Sequence, residues 1–252
     1  MAKFNEWCSQ TETPVAKNTL RHLSADPTKH SHAVHVVADA LPSYYAAPDR
    51  IASLLRRLGR PAAAKFVEEK MPTLPSIKSG DLGEVLCSAY VLEATQFKLG
   101  IRRLRWKDHR NMSMRGEDVL AFRLGDDGAL KVLKAEVKSR AKMPTAVIKE
   151  AREALSANTE LPSPHALSFV ADRLDEAGDA VLRDALDTAQ LKDGIKRTQV
   201  THMLFTFSGN DASGLLKKNL EGYTGSVSQQ YVGLHVSTHQ AFIKAVFDAV
   251  TT

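Results

Sequence analysis

The chain has 252 residues, of which 43% are hydrophobic and 25% charged, with a net charge of +5. That length is enough to bury the core of one large domain or two small ones. No run approaches 18 apolar residues, which excludes a membrane-spanning helix, and the polar start MAKFNEWCSQTETP argues against a secretory signal. The two cysteines, Cys8 and Cys87, form no CxxC pair, so a disulfide framework and a cysteine-based zinc site are not expected, and a cytoplasmic location is.

Residues 1–75 read as an N-terminal region suited to partner binding. It holds an expected strand over His32–Ala38 and two expected helices, Pro48–Leu58 and Pro61–Glu69. The prolines of Met71-Pro-Thr-Leu-Pro75 break the pattern and mark a boundary, with a second domain over 76–252. A helix is expected from Asp81 to Phe97, with Leu82, Val85, Leu86, Ala89 and Tyr90 as its buried stripe. Three strands follow, at Ile101–Trp106, Asp118–Leu124 and Leu130–Lys138, and then a helix at Pro144–Ser156. Ser163-Pro164 pairs an N-cap with proline at the first helical position and opens a helix through the acidic stretch. Strands at Val200–Phe207 and Tyr231–Ser237 precede a closing amphipathic helix with Phe242, Ile243, Val246 and Phe247 on one stripe. This order suits an α/β fold: a mixed sheet flanked by helices, with an N-terminal α/β extension.

Charge is unevenly distributed. Arg102, Arg103, Arg105, Lys107, Arg110 and Arg115 fall in fifteen residues against Asp108 alone, whereas residues 172–187 are mostly acidic. The basic run suits contact with a polyanion; the acidic run suits a solvated face, a basic partner, or a cover over the cleft.

The segment 118–138 carries the chemistry. Gly125-Asp-Asp-Gly128 fits a hairpin whose three-residue loop ends on a left-handed glycine, which sets Asp118 opposite Glu136. Directly opposed strand residues have Cβ atoms about 4.5–5.5 Å apart, and Lys138 leaves the same face as Glu136. Two opposed carboxylates repel, and a divalent cation offsets the repulsion while activating water for attack on a phosphodiester. The plain alternative is a surface charge ladder. Glu84 is a third acid, although Asp81-Leu-Gly-Glu84 also reads as a capping box, and Gly80 and Gly83 suggest close packing on another element.

Gly83-Glu84, Asp118 and Glu136-Val-Lys138 resemble, in order, the PD-(D/E)XK nuclease superfamily. The proline of its name is absent, because Glu117 precedes Asp118. The runs Gly80-Asp-Leu-Gly-Glu84, Arg110-Asn-Met-Ser-Met-Arg-Gly-Glu-Asp118 and Ala135-Glu-Val-Lys138 are similar, more narrowly, to the HamA family of nuclease subunits of the Hachiman anti-phage defence system. The resemblance implies a restriction-endonuclease-like fold and a Mg²⁺-dependent (or Mn²⁺-dependent) DNA nuclease restrained by a helicase subunit, HamB. It implies that Asp118, Glu136 and the Val137 carbonyl bind metal, that Glu84 assists, and that Lys138 is catalytic. Arg103, Arg105, Lys107, Arg110, Arg115 and Arg140 are the candidate DNA contacts. The chain has no GxxxxGK[ST] loop, so a helicase motor would be another protein.

Two rivals stand beside this reading: a nuclease-like module that only binds nucleic acid or scaffolds a complex, and a nuclease acting on RNA. Trp106 reads as a core residue more than a base-stacking one. His30, His32 and His35 form HxHxxH, which on a strand reads as polar surface or packing rather than a metal site.

Overall fold

A computed structural model describes residues 1–114, 116–126 and 128–250. In chain order, α1 (Phe4–Trp7) leads into the antiparallel hairpin of β1 (Cys8–Val15) and β2 (Asn18–Ala25). Next come α2 (His30–Ala40), α3 (Pro42–Tyr45), α4 (Pro48–Lys70) and α5 (Pro75–Ala94). The short β3 (Lys98–Leu99) precedes β4 (Val119–Leu124) and β5 (Leu130–Arg140). Three helices follow, α6 (Thr145–Ser156), α7 (Pro164–Glu176) and α8 (Ala180–Thr188). The chain ends with β6 (Val200–Ser208), α9 (Ser213–Glu221), β7 (Ser228–His235) and α10 (His239–Val250).

The seven strands of the described residues form one mixed sheet in the order β1-β2-β7-β6-β5-β4-β3, flanked by helices as expected. β5, β6, β7 and β2 are mutually parallel in that order, and the two ends of the sheet are antiparallel. β6, in the middle, is buried along almost its whole length, as a strand covered on both faces must be. On one face Leu133, Ala135 and Val137 pack with α2, α5 and α10. On the other, Leu204 and Tyr231 pack with α6 and α9, and Leu120, Phe122 and Val132 pack with α7 and α8.

The N-terminal segment differs from its sequence reading. Residues 8–25 form the hairpin β1–β2, which adds two strands to this same sheet through β7. The expected strand at His32–Ala38 is helical, because Ala33, Val36 and Val37 recur at helical spacing and bury against α10. The expected helices at 48–58 and 61–69 run on as α4 with a kink at Gly59, whose φ is 81°. α5 starts at Pro75, six residues before Asp81, with proline in the first turn.

The expected strand at Ile101–Trp106 is a 3₁₀ turn over Arg103–Trp106. Only Leu104 of that turn is buried, and Arg103 is drawn inward by two carboxylates. Trp106 is not a core residue: it is 38% exposed, with the Arg173 guanidinium 4.3 Å from its ring centre. The acidic stretch divides into α7 and α8 around Gly178, which takes the left-handed φ of 76° that a helix stop favours. No helix among the described residues is long and apolar enough to cross a membrane.

Candidate active site

The hairpin β4–β5 holds the register that its loop predicts. Val119 pairs with Ala135 and Leu124 with Leu130. The Gly125 N–H donates to the Ala129 carbonyl at 2.9 Å, and Gly128 has a φ of 74°. Asp127 of that loop lies outside the described residues. Asp118 stands one residue before β4 and is tied to β5, because its Oδ2 accepts from the Val137 N–H at 2.8 Å. Lys138 places its Nζ 3.1 Å from Glu136 Oε1 and 2.7 Å from Glu150 Oε1 on α6.

Glu84 reaches the same place from α5. The helix begins too early for Asp81 to be its N-cap, so the capping-box reading of Glu84 does not hold. Asp81 is buried instead, accepting from Tyr45 Oη and Lys107 Nζ, each at 2.8 Å. Gly83 allows the approach of α5: a Cβ there would stand 3.0 Å from Val137 Cγ1 on β5. Gly80 has nothing so near, and only Gly83 fulfils the close-packing expectation.

Between Glu84 and Asp118 stands Arg103, its side chain 12% exposed. Its Nη2 lies 3.1 Å from Glu84 Oε1 and 3.3 Å from Asp118 Oδ1, and its Nη1 donates to the Glu117 carbonyl at 2.6 Å. Arg103, a candidate DNA contact by sequence, is ion-paired inside the protein, a position that nothing in the residue pattern announces. Among the described residues no group of three His, Cys, Asp or Glu side chains is arranged to hold a metal ion as it stands.

Burial dominates the electrostatics of the acids. It pushes the Glu84 carboxyl up to about 8, with Asp118 adding to the rise and Arg103 opposing it. It raises Asp118 against the pull of Arg103 and the Val137 N–H. It raises Glu136 to about 7, helped by the charge of Asp118. Burial works against the Lys138 ammonium, yet the bonds to Glu150 and Glu136 hold it above the usual lysine range. Asp118 thus raises both Glu84 and Glu136, while Arg103 and Lys138 supply the opposing positive charge.

The other basic residues are dispersed. Arg105 donates twice to the Ser43 carbonyl, at 3.0 and 2.7 Å, and Lys107, with a side chain 4% exposed, is paired with Asp81. Arg110 is half-buried in a largely exposed loop, Arg140 is exposed at the end of β5, and Arg115 lies outside the described residues. His32, His35 and His30 sit on or beside α2 and engage Glu6, Asp39 and Thr238 separately. Glu117, beside Asp118, accepts from the N–H and Oγ of Ser163 and so ties the start of α7 to the site. Neither Glu117 nor Glu150 carried a sequence signal.

The HamA family model matches residues 2–250. The Hachiman protein HamA of Bacillus cereus is 25% identical over 251 residues, which cover 97% of this chain and 89% of that protein.

Proposed function

Because this chain belongs to the HamA family, we propose that it is a metal-dependent DNA nuclease, the effector of a Hachiman anti-phage defence complex under the control of a partner helicase. The observation that carries the proposal is that Glu84, Asp118 and Glu136 are acids whose charge is opposed by burial and lie near enough for Asp118 to raise both of the others, with Lys138 against Glu136. The same four positions support membership in the PD-(D/E)XK superfamily.

The donor chemistry fits Mg²⁺ or Mn²⁺, since carboxylate and carbonyl oxygens suit hard cations. Asp118 and Glu136 would hold the ion, with the Val137 carbonyl and Glu84 completing the set. Such an ion polarises a phosphoryl oxygen and lowers the pKa of a bound water. The protein's own part is to aim and to stabilise. The Val137 N–H fixes one oxygen of Asp118 and leaves the other turned toward Arg103. Lys138, held by Glu136 and Glu150, keeps a positive charge next to the place where phosphate charge develops. Arg140, exposed at the end of the same strand, would meet the backbone of the nucleic acid.

The Arg103 ion pairs favour a second reading, a nuclease-like module in which the acids are permanently neutralised and only binding remains. One experiment separates the two. Plasmid DNA is incubated with the chain, alone and with its co-purified partner, in Mg²⁺ and in EDTA. Cleavage that needs Mg²⁺ and disappears in Glu136→Ala and Lys138→Ala supports the nuclease. Cleavage unchanged in either variant refutes the assigned site, and DNA binding with no cleavage under any condition favours the module.

A further inference from the structure

A cavity of about 210 Å³ opens beside the acids. Glu84 and Asp118 form part of its wall, and much of the rest is Ile101, Leu104, Leu120, Ala166, Phe169 and Val170. Phosphodiester hydrolysis has no use for such a lining, because a phosphate loses water there and gains no partner. The flat, largely apolar part of a nucleotide is its base. The volume falls below the roughly 300–1,000 Å³ of drug-sized sites, which suits one ring system rather than an extended ligand.

A second observation points the same way. Arg102 also lines the cavity: its guanidinium lies 4.9 Å from the ring centre of Tyr44, another lining residue, and its Nε, like that of three other arginines, is buried with no hydrogen-bond partner among the described residues. Buried donors are rarely left unmatched, and the edge of a base offers ring-nitrogen and carbonyl acceptors. A third lies alongside: the Arg173 guanidinium sits over both Phe169 and Trp106, 5.1 and 4.3 Å from their ring centres. Arginine and aromatic rings side by side are the kind of surface on which single strands stack.

We propose that this cavity receives an unpaired nucleobase from the strand whose phosphate lies at the acids, so that the site takes single-stranded or locally unpaired DNA in preference to intact duplex. The proposal rests on the nuclease reading above. In a fully paired duplex each base is stacked, and reaching the cavity means breaking that stack. Binding is therefore coupled to whether the strand is already open.

The test reads binding separately from cleavage. Oligonucleotides carrying 2-aminopurine in single-stranded, bulged and fully paired contexts are titrated with the full-length chain in EDTA, and matched oligonucleotides are cut in Mg²⁺. The fluorescence of 2-aminopurine should change on binding in the two unpaired contexts and stay flat in the paired one. Ala166→Trp, which fills the cavity, and Arg102→Gln, which removes the unmatched donor, should each weaken binding to unpaired DNA about tenfold and leave paired DNA unaffected. Preference in cleavage should fall by the same factor. Arg102→Gln keeps the test decisive if Ala166→Trp does not fold. Equal affinity for paired and unpaired DNA overturns the proposal, as does a loss that is the same for both. So does a variant that loses its protein partner while its DNA affinity is unchanged, since the occupant would then be a partner side chain. If wild type cuts nothing, the nuclease reading fails, and the fluorescence result still decides the pocket.

Discussion

Arg103 Nη2 lies 3.3 Å from Asp118 Oδ1, so a buried guanidinium occupies ground that a metal ion would share. The same nitrogen reaches Glu84, and the site as folded is bridged by an internal cation. Removing one partner of a buried ion pair leaves the other charge uncompensated, at a cost of about 3–5 kcal/mol. Arg103→Gln should therefore melt well below wild type in EDTA. If the acids form a metal site, Mg²⁺ or Mn²⁺ should restore more stability to the variant than to wild type, because the ion no longer competes with the guanidinium. Calorimetric titration with Mn²⁺ should show tighter binding in the variant. A loss of stability that neither ion repairs would show that Arg103 is structural and that no metal binds between these acids.

Lys107 provides a contrast within the same basic run. Its ammonium is buried against Asp81, which also accepts from Tyr45. A phosphate-contacting lysine lowers DNA affinity and the salt dependence of binding when it is removed. Lys107→Met should instead leave the salt slope unchanged and cost about 3–5 kcal/mol of stability, with Asp81 stranded. Thermal melts and binding at several salt concentrations read the two effects apart. A reduced salt slope with unchanged melting would put Lys107 on the DNA.

How much of this was legible in the residues follows from which forces are local. The β4–β5 register was readable because the loop imposes it: Gly128 supplies the positive φ, and the pairing of every later residue follows. The β1–β2 hairpin was not, because Ala16 turns it at a φ of 52° with no glycine to signal a turn, and β1 is a mostly exposed edge strand. α2 was misread because its valines favour strands, while its burial against α10 is a tertiary matter. Arg103 looked like any other cation in a basic run. Its position between Glu84 and Asp118 depends on a turn from one part of the chain and acids from two others, and no spacing encodes that.

Gly83 tests whether the approach of α5 is what delivers Glu84. A Cβ at this position meets Val137 Cγ1 at 3.0 Å and Ser139 Cβ at 3.4 Å, both on the strand that carries Glu136 and Lys138. Ala at this position sets a gain in helix propensity of about 1 kcal/mol against a tight contact. Leu cannot be accommodated without moving the helix, and overpacking of this kind costs about 1–3 kcal/mol. Gly83→Leu should lower the melting temperature, and the proposed nuclease activity should fall further than stability does, since Glu84 moves with the helix. A variant that melts lower with undiminished activity per folded molecule would show that the position of Glu84 is irrelevant to turnover.

The pH dependence of stability follows from Glu136. Its carboxyl stands near 7 in the folded chain against an ordinary 4.5, chiefly through burial and then through Asp118. The folded state thus holds the proton more tightly than the unfolded state does. That contribution is complete below about 4.5 and is lost as pH rises through 7. At about 1.4 kcal/mol per pKa unit, and with the side chain partly wetted, the loss amounts to about 1–3 kcal/mol by pH 8. Glu136→Gln has no carboxyl to ionise and keeps an oxygen that can accept from Lys138. In EDTA it should melt above wild type at pH 8 and converge with it at pH 4. If Glu136 holds a metal ion as proposed, saturating Mg²⁺ should narrow or reverse the gap at pH 8, because only the wild-type carboxylate would bind it. A difference that does not change between pH 4 and pH 8 would mean that Glu136 titrates as an ordinary solvated acid, and the crowding of charge on which the proposed metal site rests would be absent.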